Sequence, residues 1–228
     1  MATSSAQRVI FLACGSFNPP TNMHLRLFEL ARDHFRANQP LSTVLGGVIS
    51  PTHDAYKKSS LIPSTHRLSM ARLAASQSSS VTVSDWEVKQ EGWSRTRLVL
   101  DEYTQLAKEG TAEWLPSLGS PDQGPVTFKL LCGADLLESF AVPDLWNTDD
   151  LTTIVRDYGI VVISRFATRS PGKAHSGKFV LFREGSNPEK FIYNSDLLTR
   201  YQHNIHIITE WIANEGEETM QILQGPWH

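Results

Sequence analysis

The residues with the clearest capacity for chemistry lie in Cys14–His24, CGSFNPPTNMH, directly behind the apolar run RVIFLA. Gly15 allows a tight turn and close approach of a ligand to the backbone. Ser16 and the amides around it can donate to phosphate. Asn18, Pro19 and Pro20 fix the path of the chain, and Thr21 or Asn22 can cap the helix that follows. His24 then falls in the first helical turn, where free amides and the helix dipole already favour an anion. A plain capped loop with a surface histidine explains any one of these residues, but not the whole set at these spacings.

Such a stretch needs elements to hold it. VIFLA (9–13), TVLGGVIS (43–50) and VTVSDW (81–86) read as strands, joined by helices over 21–36 and 63–77, and a further helix covers 92–107. In the first helix Leu27, Leu30, Ala31 and Phe35 share one face; in the second, Leu68, Ala71 and Ala75 do. After a Gly-, Pro- and Ser-rich stretch (108–125), read as a surface insertion, VTFKLLCGAD (126–135) forms another strand and turn. A short helix (150–159), IVVIS (160–164) and a last strand, IHIIT (205–209), follow. Alternating strands and helices predict an α/β fold with a parallel sheet in one domain. CGSFNPPTNMH, SPTHDAYKK and CGAD each follow a strand, so they converge at one sheet edge, where such folds bind ligands.

Composition narrows the partners. The 228 residues carry 21 Lys and Arg against 24 Asp and Glu, a net charge of −3, so no basic stripe for nucleic acid is expected. An anionic ligand must be held by local groups. Cys14 and Cys132 do not make a disulfide scaffold. Neither a signal peptide nor a membrane span is expected. These features place the chain inside the cell, in nucleus or cytoplasm, with the mitochondrion left open. His203 and His206 lack an evident third ligand, so no resident metal is expected.

GSFNPPTNMH resembles the signature of the nucleotidyltransferase superfamily. With Thr21, NMHLRLFELARDHF, ISPTHDAYKK, LIPSTHR, LLCGADLLESFAVPDLW and NIHIITEWIANE, the chain is similar to the eukaryotic nicotinamide mononucleotide adenylyltransferases. The resemblance implies a Rossmann-like nucleotidyltransferase fold, a central parallel sheet flanked by helices. It implies transfer of the adenylyl group of ATP to nicotinamide or nicotinic acid mononucleotide, releasing pyrophosphate, with Mg²⁺ arriving on ATP. Gly15, Ser16, Phe17 and Asn18 would contact the nucleotide, and His24 the ATP phosphates. Lys58, with its neighbour Lys57, would face phosphate. Trp93 and Thr96 would hold the nicotinamide end, where an indole can stack on a pyridinium ring; a core tryptophan is the competing reading. Gly133 and Asp135 would receive ribose, and Leu145 and Trp146 the nicotinamide. Arg165 would face phosphate, and Asn214 would close the edge of the site. A homo-oligomer is also implied.

Two segments depart from that pattern. FATRSPGKAHSGKFVLFRE (166–184) is an extra, basic insertion. In the tail 216–228, within GEETMQILQGPWH, the resemblance predicts a hydroxyl-rich element with an arginine, opening helices that are missing here. Reduced turnover is therefore expected. The alternative function is a catalytically weak nucleotide-binding or chaperone-like protein.

Overall fold

The computed structural model describes residues 7–56, 58–118, 124–168, 188–215 and 219–223; side chains of 165–168, 211–215 and 219–223 lie outside that description. The chain runs β1 (Gln7–Gly15), α1 (Asn22–Asn38), β2 (Ser42–Pro51), α2 (Ser64–Ala75), β3 (Val81–Val83), α3 (Thr96–Glu109) and β4 (Val126–Gly133). It continues through α4 (Ala134–Ser139), α5 (Thr148–Thr153), a π-helical turn (Ile154–Tyr158), β5 (Ile160–Thr168), α6 (Pro188–Tyr193), α7 (Asp196–Arg200), β6 (Ile205–Glu215) and β7 (Thr219–Leu223). The sheet order is β3-β2-β1-β4-β5-β6-β7, with every pair parallel except β6–β7.

β1 shows why the apolar runs are continuous. Val9, Phe11 and Ala13 pack on one face against Phe28, Ala31 and Phe35 of α1. Ile10 and Leu12 pack on the other against Val99, Leu100 and Tyr103 of α3. A strand with helices on both faces has no solvent side on which to place polar residues. Phe28, rather than Leu27, is the buried residue of that stretch of α1; Leu27 is turned toward the cleft described below. Gly47 on β2 is required by the same packing, because a Cβ there would collide with the ring of Phe28. Gly47→Ala is expected to cost about 1–3 kcal/mol, read as a lower urea midpoint at unchanged m-value.

Three expectations change. The 108–125 stretch is not a surface excursion up to Leu118. Trp114 lies 4.3 Å from Tyr103 between ring centroids, Pro116 is buried, and Leu115 and Leu118 pack on the core. Glycine- and proline-rich composition masked four apolar anchors along an irregular segment. Secondly, β3 ends at Val83, and Glu87–Lys89 forms a single 3₁₀ turn. Thirdly, the last parallel strand extends to Glu215 and returns as antiparallel β7, pairing Glu215 with Thr219 and Trp211 with Leu223. The segment 169–187, most of the basic insertion, and 216–218 and 224–228 of the tail lie outside the described residues.

Candidate active site

β1 and β4 pair only from Arg8↔Val126 to Leu12↔Leu130. Beyond that point β1 stays with β2, to Gly15↔Pro51, and β4 stays with β5, to Gly133↔Ile163. The two strands part where the winding of the sheet reverses, and Ala13–Gly15 and Leu131–Gly133 line a cleft of about 700 Å³. This is the switch-point crevice of a doubly wound sheet.

Part of the cleft lining consists of groups that can donate hydrogen bonds to an anion. The left-handed residue of the first loop is Phe17, at φ 44°, not Gly15. A Cβ on Gly15 would meet only the Phe17 ring, at 3.5 Å, so the fold tolerates one and the glycine leaves room on the cleft side. Thr21 is the N-cap of α1, and its backbone N–H donates to His24 Nδ1 at 2.9 Å. A backbone amide can only donate, so Nδ1 is the acceptor and the neutral ring carries its proton on Nε2. His24 thus offers the cleft a donor whose tautomer is set by the helix cap. Lys58 Nζ donates to Ser16 Oγ at 3.1 Å, bringing the second loop onto the first. Asn18 is not a cleft residue: its Nδ2 donates to the Ser60 carbonyl at 2.8 Å and ties the two loops from outside.

Beneath these loops sits Arg67, with no solvent exposure. Its guanidinium donates to the carbonyls of Ile62 (2.9 Å), Ser16 (3.0 Å) and Thr52 (2.7 Å) and to Asp54 Oδ1 (2.7 Å). Asp54 also accepts from the backbone and hydroxyl of Ser64 at the start of α2. Burial opposes the charge on Asp54, but the Arg67 and Ser64 hydrogen bonds outweigh it and hold the carboxyl below its usual range. One buried fork therefore sets the relative position of the loops after β1 and β2.

The cleft also reaches a buried carboxyl. Glu87, 2% exposed, accepts from Ser50 Oγ at 2.8 Å; Ser50 Oγ lies 2.9 Å from Tyr103 Oη, which lies 2.7 Å from Ser84 Oγ. Burial pushes Glu87 up to about 7, against the hydrogen bonds from Ser50 and Thr52 and the charge of Arg67. Burial, then the Glu87 charge, also pushes the Cys14 thiol well up, so it is no nucleophile at neutral pH. The linkage sign follows. Glu87 holds its proton more tightly folded than unfolded, so its contribution to stability is full below its unfolded value and is lost as pH rises through about 7. Glu87→Gln cannot titrate. Its stability relative to the parent protein is expected to rise by about 2 kcal/mol between pH 5 and pH 8, measured by urea unfolding at both; a pH-independent difference refutes it.

The cleft is also lined by aromatic rings. Trp93 is 49% exposed, so it is not the core residue of the competing reading, and its ring lies 5.9 Å from that of Tyr56. Leu145 is exposed, while Trp146 is anchored by Nε1 to Ser139 Oγ at 3.0 Å and edge-on to Phe140. Thr96 opens α3 beside them. Asp135, in the first turn of α4, lies so near Gly133 that a Cβ there would come within 2.6 Å of its Oδ1.

The fold thus gathers Gly15, Ser16, Phe17, His24, Lys58, Trp93, Thr96, Gly133, Asp135, Leu145 and Trp146 around one cleft. Lys57 lies outside the described residues. Arg165 sits on β5 opposite Glu210, and Asn214 on β6 opposite Met220; their side chains lie outside the description. Tyr56, Glu87, Arg95 and Asp150 also line the cleft and were not anticipated. His206 packs on Phe35 at 4.7 Å, and burial lowers it to about 4. Among the described residues no group of three or more His, Cys, Asp or Glu stands ready to hold a metal, and no helix is long and apolar enough to cross a membrane.

Residues 12–212 match the cytidylyltransferase-like family. The nicotinamide-nucleotide adenylyltransferase of Drosophila melanogaster is 44% identical over 93% of this chain, which spans 54%, about half, of that relative. Nicotinamide/nicotinic acid mononucleotide adenylyltransferase 1 of Bos taurus is 38% identical over 96% of this chain and 80% of its own length. The Oryza sativa enzyme named nicotinamide/nicotinic acid mononucleotide adenylyltransferase is 40% identical over 90% and 72%. Among solved structures, Plasmodium falciparum nicotinic acid mononucleotide adenylyltransferase complexed with NaAD matches with a TM-score of 0.54 at 17% identity, covering 89% of this chain and 75% of that one. That last match is a likeness of fold.

Proposed function

We propose that this chain, which belongs to the cytidylyltransferase-like family and within it to the nicotinamide/nicotinic acid mononucleotide adenylyltransferases, transfers the adenylyl group of ATP to a pyridine mononucleotide. A phosphate oxygen of the mononucleotide attacks the α-phosphorus, the bond from that phosphorus to the bridging oxygen of the β-phosphate breaks, and pyrophosphate leaves. The product is NAD or its deamido form. No enzyme nucleophile is required, so catalysis is positioning and charge stabilisation. The observation that carries the reading is the make-up of one cleft, which is lined both by phosphate-donor groups, Ser16, His24 and Lys58, and by the aromatic rings of Tyr56, Trp93 and Trp146.

The cleft lining supports the following roles. His24 Nε2–H and Lys58 donate to phosphate oxygens as negative charge moves onto the leaving pyrophosphate. Asp135 accepts from ribose hydroxyls, and Trp93 stacks on the pyridinium face. The donor set fits a metal that travels with its nucleotide; Mg²⁺ on the ATP phosphates would neutralise charge there. The test is formation of NAD and pyrophosphate from ATP, Mg²⁺ and nicotinamide mononucleotide, with nicotinic acid mononucleotide in parallel. No product from either mononucleotide overturns the reading.

One observation favours a second reading, of mononucleotide binding with weak turnover. Where the resemblance implies hydroxyls and an arginine after Glu215, this chain pairs Glu215 with Thr219 in a β-hairpin. Acidic residues there would repel phosphate. Calorimetric binding of mononucleotide with turnover at least a hundredfold below that of the bovine relative would support it. Self-association belongs to the same proposal and is checked by light scattering.

A further inference from the structure

We propose that Arg95 makes the cleft beside Trp93 select for a pyridine bearing a carboxylate over one bearing a carboxamide, so that nicotinic acid mononucleotide is the preferred acceptor; this rests on the adenylyl-transfer reading above. The two mononucleotides differ in a single group. A carboxamide needs an acceptor for its NH₂ as well as a donor for its oxygen, whereas a carboxylate needs donors alone. The wall beside Trp93 is built from consecutive residues Trp93–Arg97, with Asp150 behind them. Asp150, 8% exposed at its side chain, takes Arg95 Nη1 on Oδ2 at 2.8 Å and Arg97 Nε on Oδ1 at 2.7 Å. Each oxygen of this acceptor is thus already engaged by a guanidinium.

Arg95 is the exposed member of the cluster, with 47% of its side chain accessible against 26% for Arg97. A guanidinium has five N–H groups, more than one carboxylate oxygen can take, so Arg95 can keep Asp150 and still donate to a ligand. Thr96 adds a second donor: it is the first residue of α3, where backbone N–H groups have no intrahelical acceptor. A pyridinium stacked on Trp93 would place its ring substituent near the donors of Arg95 and Thr96. Arg97 also lines the cleft, but it is the less exposed of the two and holds Asp101 as well as Asp150, so Arg95 is the cation with more donors left for a ligand.

The experiment compares kcat/KM, and Kd by calorimetry, for the two mononucleotides with the parent protein, Arg95→Gln and Arg95→Lys. The parent is expected to favour the acid by roughly tenfold or more, the scale of one charge-assisted hydrogen bond. Arg95→Gln is expected to bring the ratio close to one, and Arg95→Lys to keep part of it, since a lysine retains the charge but not the fork. Circular dichroism of each variant confirms folding. A ratio unchanged in Arg95→Gln, or a parent that prefers the amide, overturns this inference while leaving adenylyl transfer intact. A parent that neither binds nor turns over either mononucleotide overturns both.

Discussion

Alanine in place of His24 is expected to lower kcat about 10²–10³-fold, the range for losing one preorganised donor to a developing negative charge, with a smaller change in the KM for ATP. The physical reason is the cap of α1. The Thr21 amide, 2.9 Å from Nδ1, holds the ring in one tautomer and one orientation. In the adenylyl transfer proposed above, a ring held this way would need little reorganisation as charge moves onto the leaving pyrophosphate. His24→Gln is expected to recover only part of the rate, because a longer, flexible amide is not held by the cap. Thr21→Val removes the hydroxyl 2.8 Å from Nδ1 but keeps the backbone donor, so its loss should be much smaller. Steady-state rates of NAD and deamido-NAD formation decide it: a loss under fivefold in His24→Ala removes His24 from the catalytic machinery.

Arg67→Met is expected to cost about 3–5 kcal/mol of stability, the range for breaking a buried ion pair by removing one partner. In a chain of this size that is a fall of roughly 10 °C in Tm. The guanidinium is wholly buried and serves three carbonyls and Asp54; without it those carbonyls lose their donor inside the protein. Arg67→Lys should not rescue it, since a point charge cannot span acceptors on the loops after β1 and β2. Asp54→Asn should be milder, as that side chain is 48% exposed and solvent can replace what it loses. Because Arg67 holds Ser16, and Ser16 accepts from Lys58, turnover should fall even below the shifted melting point. Thermal unfolding and residual activity at low temperature separate the two effects. An Arg67→Met protein with unchanged Tm would overturn the role.

Much of this was legible from local pattern. The apolar runs of β1, β4 and β5 announced a doubly covered sheet, and three unusual turns after strands announced one site. Arg67 leaves a signal in the helical pattern: it lies four residues before Ala71 and eight before Ala75, on the buried face of α2. A charged residue in an apolar stripe asks for buried partners. Those partners are carbonyls of residues 16, 52 and 62, which only the tertiary structure brings together. Glu87 left less. Nothing in SDWEVK says that its carboxyl is desolvated and meets Ser50 across the sheet. Trp114 and Pro116 were hidden by the glycine and proline around them, since composition reports backbone freedom rather than side-chain burial.

By itself, the sequence determined the type of each element and the chemistry each turn can offer, because periodicity, capping and residue type are properties of neighbours along the chain. It determined that a cap, a helix start and a histidine fall together in the first turn of α1, since they lie within four residues. The tertiary structure alone decided that β1 and β4 part after Leu12 and Leu130, opening the cleft between them. It alone placed Tyr56 beside Trp93, and Asp150 between Arg95 and Arg97. Burial, desolvation and the occupancy of a shared acceptor depend on groups more than fifty residues apart in the chain, and they exist only when the sheet has closed around them.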